Sequence, residues 1–401
     1  MNDIFKWKTV RDIDLAKKKV LLRVDFNVPL EPTEPPTVSD DARIKESMPT
    51  IEYLLEQGAT LICVAHLGRP KGKVIEALKM KPVAERFAEI ISERAYVTET
   101  KLGDFPAYKI TDKVFLLENI RFYPEEEKND AKFSKKLAAL ADVYVDDAFG
   151  TVHRAHASTV GVTKFLPAVS GLLLEKEIVT LSRLMVEPAR PFVAVQGGIK
   201  VSTKIGIIRR LLDLVDYLLI GSGLTSTFLK AQGYDVGASK IEEEAMDMAT
   251  QVLEKARTMS QNMILPVDLI VADAPTEDAK IKVVDIPAEP GVVCEAPFMI
   301  LDIGPKTVKL FEEKIKEAKS VFWNGPLGFN EVKPFAKGSK AIAEAIGRSG
   351  AVSVVGGGDI VAFLDEYGLN VLFTHVSTGG GASLEFVAGD KLPGVEALQK
   401  K

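Results

Sequence analysis

The chain has 401 residues, 46% of them hydrophobic and 27% charged, and it carries a formal net charge of −5 at neutral pH. A chain of this length is too long for one compact core, so two domains are expected. The acidic balance excludes a general affinity for nucleic acid or for anionic membranes. Any anion must therefore be bound by a local cluster of cations or amides.

Cysteine usage and the N-terminus bear on the compartment. Cys63 and Cys294 lie in or near apolar runs, which favours reduced thiols over a disulfide framework. The N-terminal stretch MNDIFKWKTVRDIDLAKKK has no apolar segment of the signal-peptide type, and no apolar run of about 18 residues occurs in the sequence. We predict a cytoplasmic protein. A monomer is expected, and the sequence leaves a dimer open.

Short apolar runs rich in β-branched residues alternate with longer helical patterns, which is typical of a mostly parallel sheet with helices on both faces. The predicted fold class is α/β, with two Rossmann-like domains. The strands predicted in the first half are residues 20–24, 61–65, 114–117 and 143–145. Those predicted in the second half are residues 192–195, 217–220, 263–271, 298–301, 321–323, 352–355 and 371–374.

A polar or glycine cluster follows almost every predicted strand. In open α/β sheets, ligands bind outside the carboxyl ends of the strands, so each half is expected to have one ligand-facing edge. The edge in the first half is rich in arginine and histidine, and the edge in the second half is rich in glycine and lysine. Between them, residues 166–185 have a long helical pattern without such a cluster and are predicted to form an interdomain helix.

The first edge has the side chains to bind a small, highly charged anion. Asp25 and Asn27 alternate with apolar residues at a strand end, where they could hold hydroxyl groups, although turn chemistry explains Asn27 equally well. Arg69, Arg121 and Arg154 follow separate strands, and guanidinium groups suit phosphate and carboxylate.

Two further residues strengthen this prediction. Arg43 lies at a helix start, where the helix dipole disfavours a cation, so a ligand would explain it. His66 precedes Arg69 across a glycine. The histidines lack metal-ligand spacing, and a zinc site is rejected.

Two glycine triplets organise the second edge. The first, Gly356–Gly358, is followed by Asp359, and the second is Gly379–Gly381. A strand that feeds a glycine loop and then a helix leaves backbone N–H groups pointing at one spot, which suits phosphate. Asp359 would repel phosphate unless a divalent cation lay between them, so Mg²⁺ is expected. Tight turns are the alternative explanation of each loop.

Lysines and a carboxylate complete this edge. Lys200 and Lys204 are four residues apart after two glycines, as in a lysine phosphate clamp, and Glu331 could accept hydrogen bonds from ribose. No G-x-x-x-x-G-K-[ST] sequence occurs, and no G-x-G-x-x-G sequence occurs, which argues against a dinucleotide site.

The chain resembles the phosphoglycerate kinase family from about residue 20 to its end. The matching segments are, in order, RVDFNVP, DDARIKESMPTI, HLGRPKG, LKMKPVAERF, LLENIRFYPEEEKND, DDAFGTVHRAHAS, GGIKVSTK, WNGPLG, VVGGGD and HVSTGGGASLEF. The resemblance implies an N-terminal domain, residues 1–170 with about 387–401, that binds 3-phosphoglycerate or 1,3-bisphosphoglycerate. It also implies a C-terminal domain, residues 171–386, that binds Mg-ADP or Mg-ATP, and closure of the domains around a hinge helix at about 166–185.

The family's functional residues map onto this sequence. For the glycerate ligand, the resemblance implies Asp25, Phe26, Asn27, Arg43, His66, Leu67, Gly68, Arg69, Arg121 and Arg154. For the nucleotide, it implies Lys200, Lys204, Gly223, Leu301, Asn324, Pro326, Glu331, Gly356, Gly357, Gly358, Asp359, Thr378, Gly379, Gly380 and Gly381. The implied catalytic residues are Arg43, Lys200, Gly357 and Gly380, and the implied metal ligand is Asp359.

The departures from the family pattern lie mostly around the nucleotide, and base preference therefore stays open. They are Ser222, Ile199, Ile300, Ile360 and, in the first half, Asp146. Two rival functions compete with the kinase: a silent anion-binding protein that kept the fold, and a nicotinamide-dependent oxidoreductase. The intact charged residues speak against the first, and the missing glycine fingerprint speaks against the second.

Overall fold

The structure is a computed structural model that describes residues 5–92, 95–258 and 262–401. Its α-helices are Ala42–Glu56, Lys81–Ile91, Pro124–Glu127, Ala131–Ala138, Leu172–Val186, Val201–Leu212, Ser222–Ala231, Met246–Thr258, Pro305–Glu317, Lys337–Ser349, Gly358–Glu366, Gly381–Ala388 and Pro393–Glu396. Short 3-10 helices lie at Val10–Asp12, Glu76–Leu78, Ile120–Phe122, Phe149–Thr151, Gly161–Lys164, Glu243–Ala245, Lys333–Phe335 and Asn370–Leu372.

The chain divides into two compact units. The first contains Met1–Val179 and Lys391–Lys401, and the second contains Thr180–Asp390. The first division falls inside the helix Leu172–Val186. Each unit has its own sheet and its own buried apolar cluster.

The first unit is built on a seven-stranded sheet. From edge to edge its strands are Thr98–Leu102, Phe105–Thr111, Val114–Leu117, Thr60–Val64, Lys19–Arg23, Val143–Asp146 and Ala168–Ser170. The strands from Val114–Leu117 onward are parallel, whereas the first two form an antiparallel hairpin that is not among the predicted strands. Because the parallel strands point the same way, the segments that follow them lie at one edge of the sheet.

The second unit is built on a parallel six-stranded sheet. Its strands are, in order, Met263–Ile264, Tyr217–Ile220, Phe192–Gln196, Ser320–Asn324, Val352–Val355 and His375–Val376. A separate antiparallel sheet contains Ile281–Asp285, Asp268–Ala272 and Met299–Ile303. Two small two-stranded sheets pair Asp235–Val236 with Val292–Cys294 and Leu30–Glu31 with Thr37–Val38. The predicted α/β fold class is confirmed.

Two predicted strands are wrong. Residues 263–271 form two strands in different sheets, because Pro266 interrupts the run and has no N–H to donate to a ladder. Residues 371–374 are not a strand: Val371 is 89% exposed and lies in the 3-10 helix Asn370–Leu372. The strand of this region is His375–Val376, which pairs with Val354 and Val355.

The predicted helix at 166–185 begins later than expected. Ala168–Ser170 instead forms the edge strand of the first sheet, and the helix runs from Leu172 to Val186. Its free N–H groups find acceptors on neighbouring elements: Leu172 N donates to Thr50 Oγ1, and Leu173 N donates to Asp147 Oδ1, both at 2.9 Å. These hydrogen bonds to residues distant in the chain fix the start of the helix, and no local sequence pattern predicts them.

The C-terminal segment packs on the N-terminal unit. Lys8 N donates to Gln399 O at 2.7 Å, Gln399 N donates to Ala168 O at 2.9 Å, and Gly394 N donates to Val152 O at 2.8 Å. Among the described residues, no helix is long and apolar enough to cross a membrane.

Candidate active site

In the first unit, the segment after Lys19–Arg23 connects three elements. Val24 N donates to Val64 O at 3.1 Å, which keeps the chain aligned with the sheet beyond the end of the strand. Arg43 Nη1, in the first turn of Ala42–Glu56, donates to Asp25 Oδ2 at 2.5 Å. Asn27 Oδ1 accepts from Gly68 N at 2.8 Å. The segment containing Phe26 is therefore tied to a helix on one side and to the 66–69 loop on the other.

The 66–69 loop is held by the neighbouring ENIR segment. Asn119 Oδ1 accepts from Leu67 N at 3.2 Å and from Arg121 N at 3.1 Å, and Asn119 Nδ2 donates to Leu67 O at 2.8 Å. Arg121 Nη1 donates to Gly68 O at 3.0 Å. Arg69 is exposed, and no contact joins its side chain to the other basic residues among those described.

Arg23 determines which nitrogen of His66 carries hydrogen. Arg23 is 1% exposed, and its Nη2 lies 3.2 Å from His66 Nδ1. Because a guanidinium only donates, Nδ1 accepts and Nε2 keeps its hydrogen. Burial and then the charge of Arg23 hold the pKa of His66 well below its ordinary value. His66 is thus a neutral donor through Nε2.

This basic cluster has buried donors that lack an acceptor. Arg121 is 3% exposed, and neither its Nε nor its Nη2 has a hydrogen-bond partner in the described part of the chain; the nearest carboxylate oxygen, Glu127 Oε1, lies 3.7 Å from Nε. Burial, with Arg23 and Arg154 nearby, lowers the pKa of Arg121 to about 10. Among the residues that the structure describes, His153 Nδ1 is a further buried atom without a hydrogen-bond partner. Orphaned donors of this kind indicate an anion that the fold is built to receive.

Two histidines lie in the positive electrostatic field of the same arginines. Arg154 Nε donates to His153 Nε2 at 3.0 Å, and burial followed by Arg154 lowers the pKa of His153 to about 4. Burial followed by Arg121 lowers the pKa of His156 to about 4 as well. Both side chains are therefore neutral at physiological pH in the unliganded protein.

Anion binding is expected to take up protons through these histidines. A bound anion offsets the neighbouring guanidinium charges and raises both pKa values from about 4 towards the ordinary 6.5. Uptake therefore occurs between these pH values, and affinity rises as the pH falls through them. Calorimetric titration with sulfate at pH 5.5, in two buffers of different ionisation enthalpy, measures this proton uptake. Sulfate is the suitable anion because it stays fully ionised. Equal uptake in a His153→Gln/His156→Gln variant would contradict the assignment.

In the second unit, Asn324 connects two loops and a lysine. Lys204 Nζ donates to Asn324 Oδ1 at 2.8 Å, and Gln196 Nε2 donates to the same oxygen at 2.9 Å. Asn324 Nδ2 donates to Gly356 O at 2.5 Å. The strand ends at 196, 324 and 355 are thus linked by one side chain. Burial lowers the pKa of Lys204, and the nearby Asp359 opposes that shift.

The two glycine triplets open helices, as predicted. Gly357 is the N-cap of Gly358–Glu366, and Gly380 is the N-cap of Gly381–Ala388. The loops are neighbours, since a Cβ on Gly356 would lie 3.4 Å from Ser383 Cβ. Gly356 N donates to Trp323 O and Gly379 N donates to Ser377 Oγ, so these two amides are already engaged. Ala382 N, in the first turn of Gly381–Ala388, is also engaged, since it donates to Gly379 O at 2.9 Å. The amides of Gly357 and Gly358 remain for a ligand.

A slot of about 410 Å³ lies in the second unit beside these loops. Lys200, the N-cap of Val201–Leu212, lines it together with Lys204 and Asp359. The predicted nucleotide residues Gly223, Leu301, Pro326 and Glu331 also line it. Of the residues that depart from the family pattern, Ile199 and Ile300 line the slot, whereas Ile360 is fully buried. The side chain of Ser222 lies outside the described part of the chain.

The side chains of the slot fit Mg²⁺ only when nucleotide phosphates supply further ligands. Within the described ranges, no group of three or more histidine, cysteine or carboxylate side chains could hold a metal ion. Mg²⁺ is usually bound by one or two carboxylates and by substrate phosphates, and Asp359 lies beside Lys204 in the slot. A metal that arrives with nucleotide phosphates matches these residues, and a protein-only metal cage does not.

A kinase that acts on small anionic metabolites requires two kinds of site. One is a cluster of buried cations with unpaired donors, and the other is a slot that can take phosphates beside a carboxylate. A family model described as phosphoglycerate kinase matches residues 10–390. The chain belongs to the phosphoglycerate kinase family. It is accordingly a kinase that uses a carboxyl group as phosphoryl acceptor, and the reaction of this family is a step of glycolysis.

Curated relatives and solved structures agree with this assignment. Phosphoglycerate kinase of Pelotomaculum thermopropionicum is 51% identical over 98% of this chain and 99% of its own length. That of Roseiflexus sp. is 48% identical over 98% of each chain. The structure of the Coxiella burnetii enzyme matches with a TM-score of 0.86 at 40% identity, and that of Pyrococcus horikoshii OT3 with 0.81 at 31%, each covering 98% of both chains.

Several residues of the site are not among those predicted from the sequence. Arg23 and Asn119 orient His66 and the 66–69 loop, and Gln196 positions Asn324. His153 and His156 flank Arg154 in the sequence, but the sequence assigns them no role in the site. A charged residue inside the apolar run VLLRV is a usable signal for Arg23. No local signal identifies Asn119 or Gln196, because their role depends on contacts between strand ends.

Proposed function

We propose that the first unit binds 3-phosphoglycerate or 1,3-bisphosphoglycerate. The orphaned donors of Arg121 and His153 support an anion there, and the Asp25 and Asn27 side chains lie in the adjoining segment. Asp25 and Asn27 hold the hydroxyl group, and His66, Arg69, Arg121 and Arg154 hold the phosphate. Arg43, whose side chain is 37% exposed, is left to face the group that is transferred.

We infer that the second unit binds ADP or ATP. Lys204 and the amides of Gly357 and Gly358 bind the phosphates, Glu331 accepts from the ribose, and the apolar wall at Leu301 contacts the base. The connection of Lys204, Asn324 and Gly356 supports this assignment, because it fixes a cation at the mouth of the glycine loop. Asp359 holds Mg²⁺, which would neutralise nucleotide phosphate charge when bound.

The reaction proposed is a direct phosphoryl transfer. In the direction of ATP formation, a β-phosphate oxygen of ADP attacks the acyl phosphorus of 1,3-bisphosphoglycerate. The P–O bond to the acyl oxygen breaks, and 3-phosphoglycerate leaves as a carboxylate, so no proton transfer is required. Arg43, Lys200 and the amides at Gly357 and Gly380 stabilise the charge on the phosphoryl group in flight. Because direct transfer requires the two ligands to meet, we infer that ligand binding drives closure of the two domains. We also propose that the enzyme is cytoplasmic.

Turnover by the purified protein tests this function. With 1,3-bisphosphoglycerate and Mg-ADP, ATP is expected to form, and chelation of Mg²⁺ is expected to abolish its formation. Asp359→Asn is expected to raise the Mg²⁺ concentration needed for half-maximal rate, because one carboxylate charge is lost. ATP formation that is unaffected by chelation would contradict the metal assignment, and absence of any ATP would contradict the function.

A further inference from the structure

A buried glutamate lies behind the basic cluster of the first unit. Glu126 belongs to the short helix Pro124–Glu127 and is fully buried. Its Oε1 accepts from Ser158 Oγ at 2.6 Å, and its Oε2 accepts from Ser158 N at 2.9 Å. Its backbone oxygen accepts from Ala157 N at 2.9 Å. Glu126 therefore holds the segment that follows Arg154 by three hydrogen bonds.

Ser158 connects this carboxylate to Arg23. The side chain of Ser158 is buried, and its Oγ accepts from Arg23 Nε at 3.0 Å. An ionised carboxylate only accepts and a guanidinium only donates, so the serine hydroxyl donates to Glu126 and accepts from Arg23. On its other side, Arg23 Nη2 donates to His66 Nδ1 at 3.2 Å. One chain of three hydrogen bonds thus runs from His66 to Glu126.

Backbone oxygens hold only one nitrogen of the Arg23 guanidinium. Its Nη1 donates to Val24 O and, at 3.2 Å, to Val64 O. The second fixed point is Nε, where Ser158 accepts, and the two points together set the direction of Nη2. If the bond at Nε is lost, the planar group can turn about its Nη1 contacts and Nη2 can leave His66.

Glu126 also offsets the charge of Arg23. Burial raises the pKa of Glu126, and the charge of Arg23 opposes that shift. A second buried carboxylate, Asp146, accepts from Tyr144 Oη and from Ala148 N, both at 3.1 Å, so its hydrogen bonds bypass Arg23. Removal of one partner of a buried charge pair leaves the other charge uncompensated. Loss of the Glu126 charge is therefore expected to release Arg23 from its position.

We infer that Glu126 is a positioning residue for the glycerate ligand: through Ser158 it holds Arg23 against His66 Nδ1 and so keeps the hydrogen of His66 on Nε2. The inference rests on the proposed function, in which His66 holds the phosphate. Glu126 is buried and acts through Arg23 without touching the ligand. The bond from His66 to the ligand is present before and during phosphoryl transfer, so its loss changes affinity and leaves kcat unaltered.

Two variants test the inference. Glu126→Gln removes the charge at nearly constant shape, and Ser158→Ala removes the hydroxyl that joins Glu126 to Arg23. Each is expected to weaken 3-phosphoglycerate binding about tenfold in calorimetric titration, because a hydrogen bond to a charged group is lost. KM is expected to rise by the same factor with kcat near the wild-type value. The double variant is expected to bind no more weakly than either single variant, because both substitutions break the same chain of bonds.

Ser134→Ala is the matched control. Ser134 is also a fully buried serine of the first unit, and its Oγ donates to Asp130 O at 2.7 Å, away from Arg23 and His66. Its replacement removes one buried hydroxyl and one hydrogen bond. This variant is expected to bind 3-phosphoglycerate with the wild-type affinity.

The tautomer of His66 separates positioning from a general loss of structure. In NMR spectra of protein with nitrogen-15-labelled histidine, recorded without ligand at neutral pH, the wild type is expected to carry the His66 hydrogen on Nε2 alone. Glu126→Gln and Ser158→Ala are expected to share it between Nε2 and Nδ1, and Ser134→Ala is expected to keep the wild-type pattern. A His66→Gln variant assigns the signals.

Each contrary outcome has a distinct meaning. Wild-type affinity in Ser158→Ala, or a His66 hydrogen that stays on Nε2 alone in that variant, would overturn the inference and leave the proposed function intact. Ser158→Ala decides the question even if Glu126→Gln does not fold. Failure of the wild-type protein to bind 3-phosphoglycerate would instead contradict the proposed function.

Discussion

Replacing Arg43 with alanine is expected to lower kcat by about 10²–10³-fold while KM for the glycerate substrate changes little. Arg43 is only partly buried, and its one described partner is Asp25, at 2.5 Å, so its guanidinium can turn to a ligand. The loss of a preorganised donor that meets charge in the transition state has an effect of this size on kcat. Steady-state kinetics with both substrates varied separates kcat from KM.

Arg86 supplies a matched control for that experiment. It is 38% exposed, and its Nη2 lies 2.5 Å from Asp41 Oδ2, so its surroundings resemble those of Arg43 in exposure and pairing. Arg86→Ala removes its surface ion pairs with Asp41 and Glu89, each worth less than about 1 kcal/mol of stability, and is expected to leave kcat unchanged. A similar fall in kcat for both variants would mean that Arg43 acts through folding. An unchanged kcat in Arg43→Ala would remove it from the catalytic residues.

Replacing Gly357 with alanine is expected to weaken Mg-ADP binding by about 10²-fold or more. Gly357 has φ +114°, and a Cβ at this position would lie 2.3 Å from Asn324 Nδ2. The strain of that backbone conformation is about 1–3 kcal/mol for a residue other than glycine. Displacement of Asn324 would also release Lys204 and Gly356 O. Calorimetric titration with Mg-ADP measures the loss.

Gly368→Ala separates the local backbone strain from the effect on the site. Gly368 also has a positive φ, +65°, and its Cβ would meet nothing within 4 Å. This variant is expected to lose some stability yet to bind Mg-ADP with the wild-type affinity. Thermal unfolding of both variants gives the stability comparison. Unchanged Mg-ADP affinity in Gly357→Ala would contradict the role of the first glycine loop.

The strand-and-loop pattern of the sequence was enough to predict the α/β class and the glycine loops. Runs such as 352–355 are apolar, β-branched and followed by glycines, so the strand and the helix after it are specified locally. The run 371–374 is also apolar and rich in residues that favour strands, but it carries an 89% exposed Val371. Only tertiary context decides which apolar run enters the sheet.

The contacts that orient the site were harder to predict than its charged residues. Arg43 and Lys204 stand out because cations at helix starts require an explanation. The family resemblance implies that Asn324 binds nucleotide, and its observed bonds show that it also positions Lys204 and the Gly356 loop. Such a role depends on the pairing order of the strands, which places residues 196, 324 and 355 side by side. No local sequence pattern contains that order.

The proposed mechanism depends on a phosphoryl group that passes between two bound ligands without residing on the protein. A single-turnover, rapid-quench experiment with excess enzyme, γ-labelled Mg-ATP and 3-phosphoglycerate measures this directly. We predict that label moves from ATP to the acyl phosphate at one rate, with no labelled protein at any time. Labelled protein that forms and decays fast enough to lie on the path would contradict direct transfer.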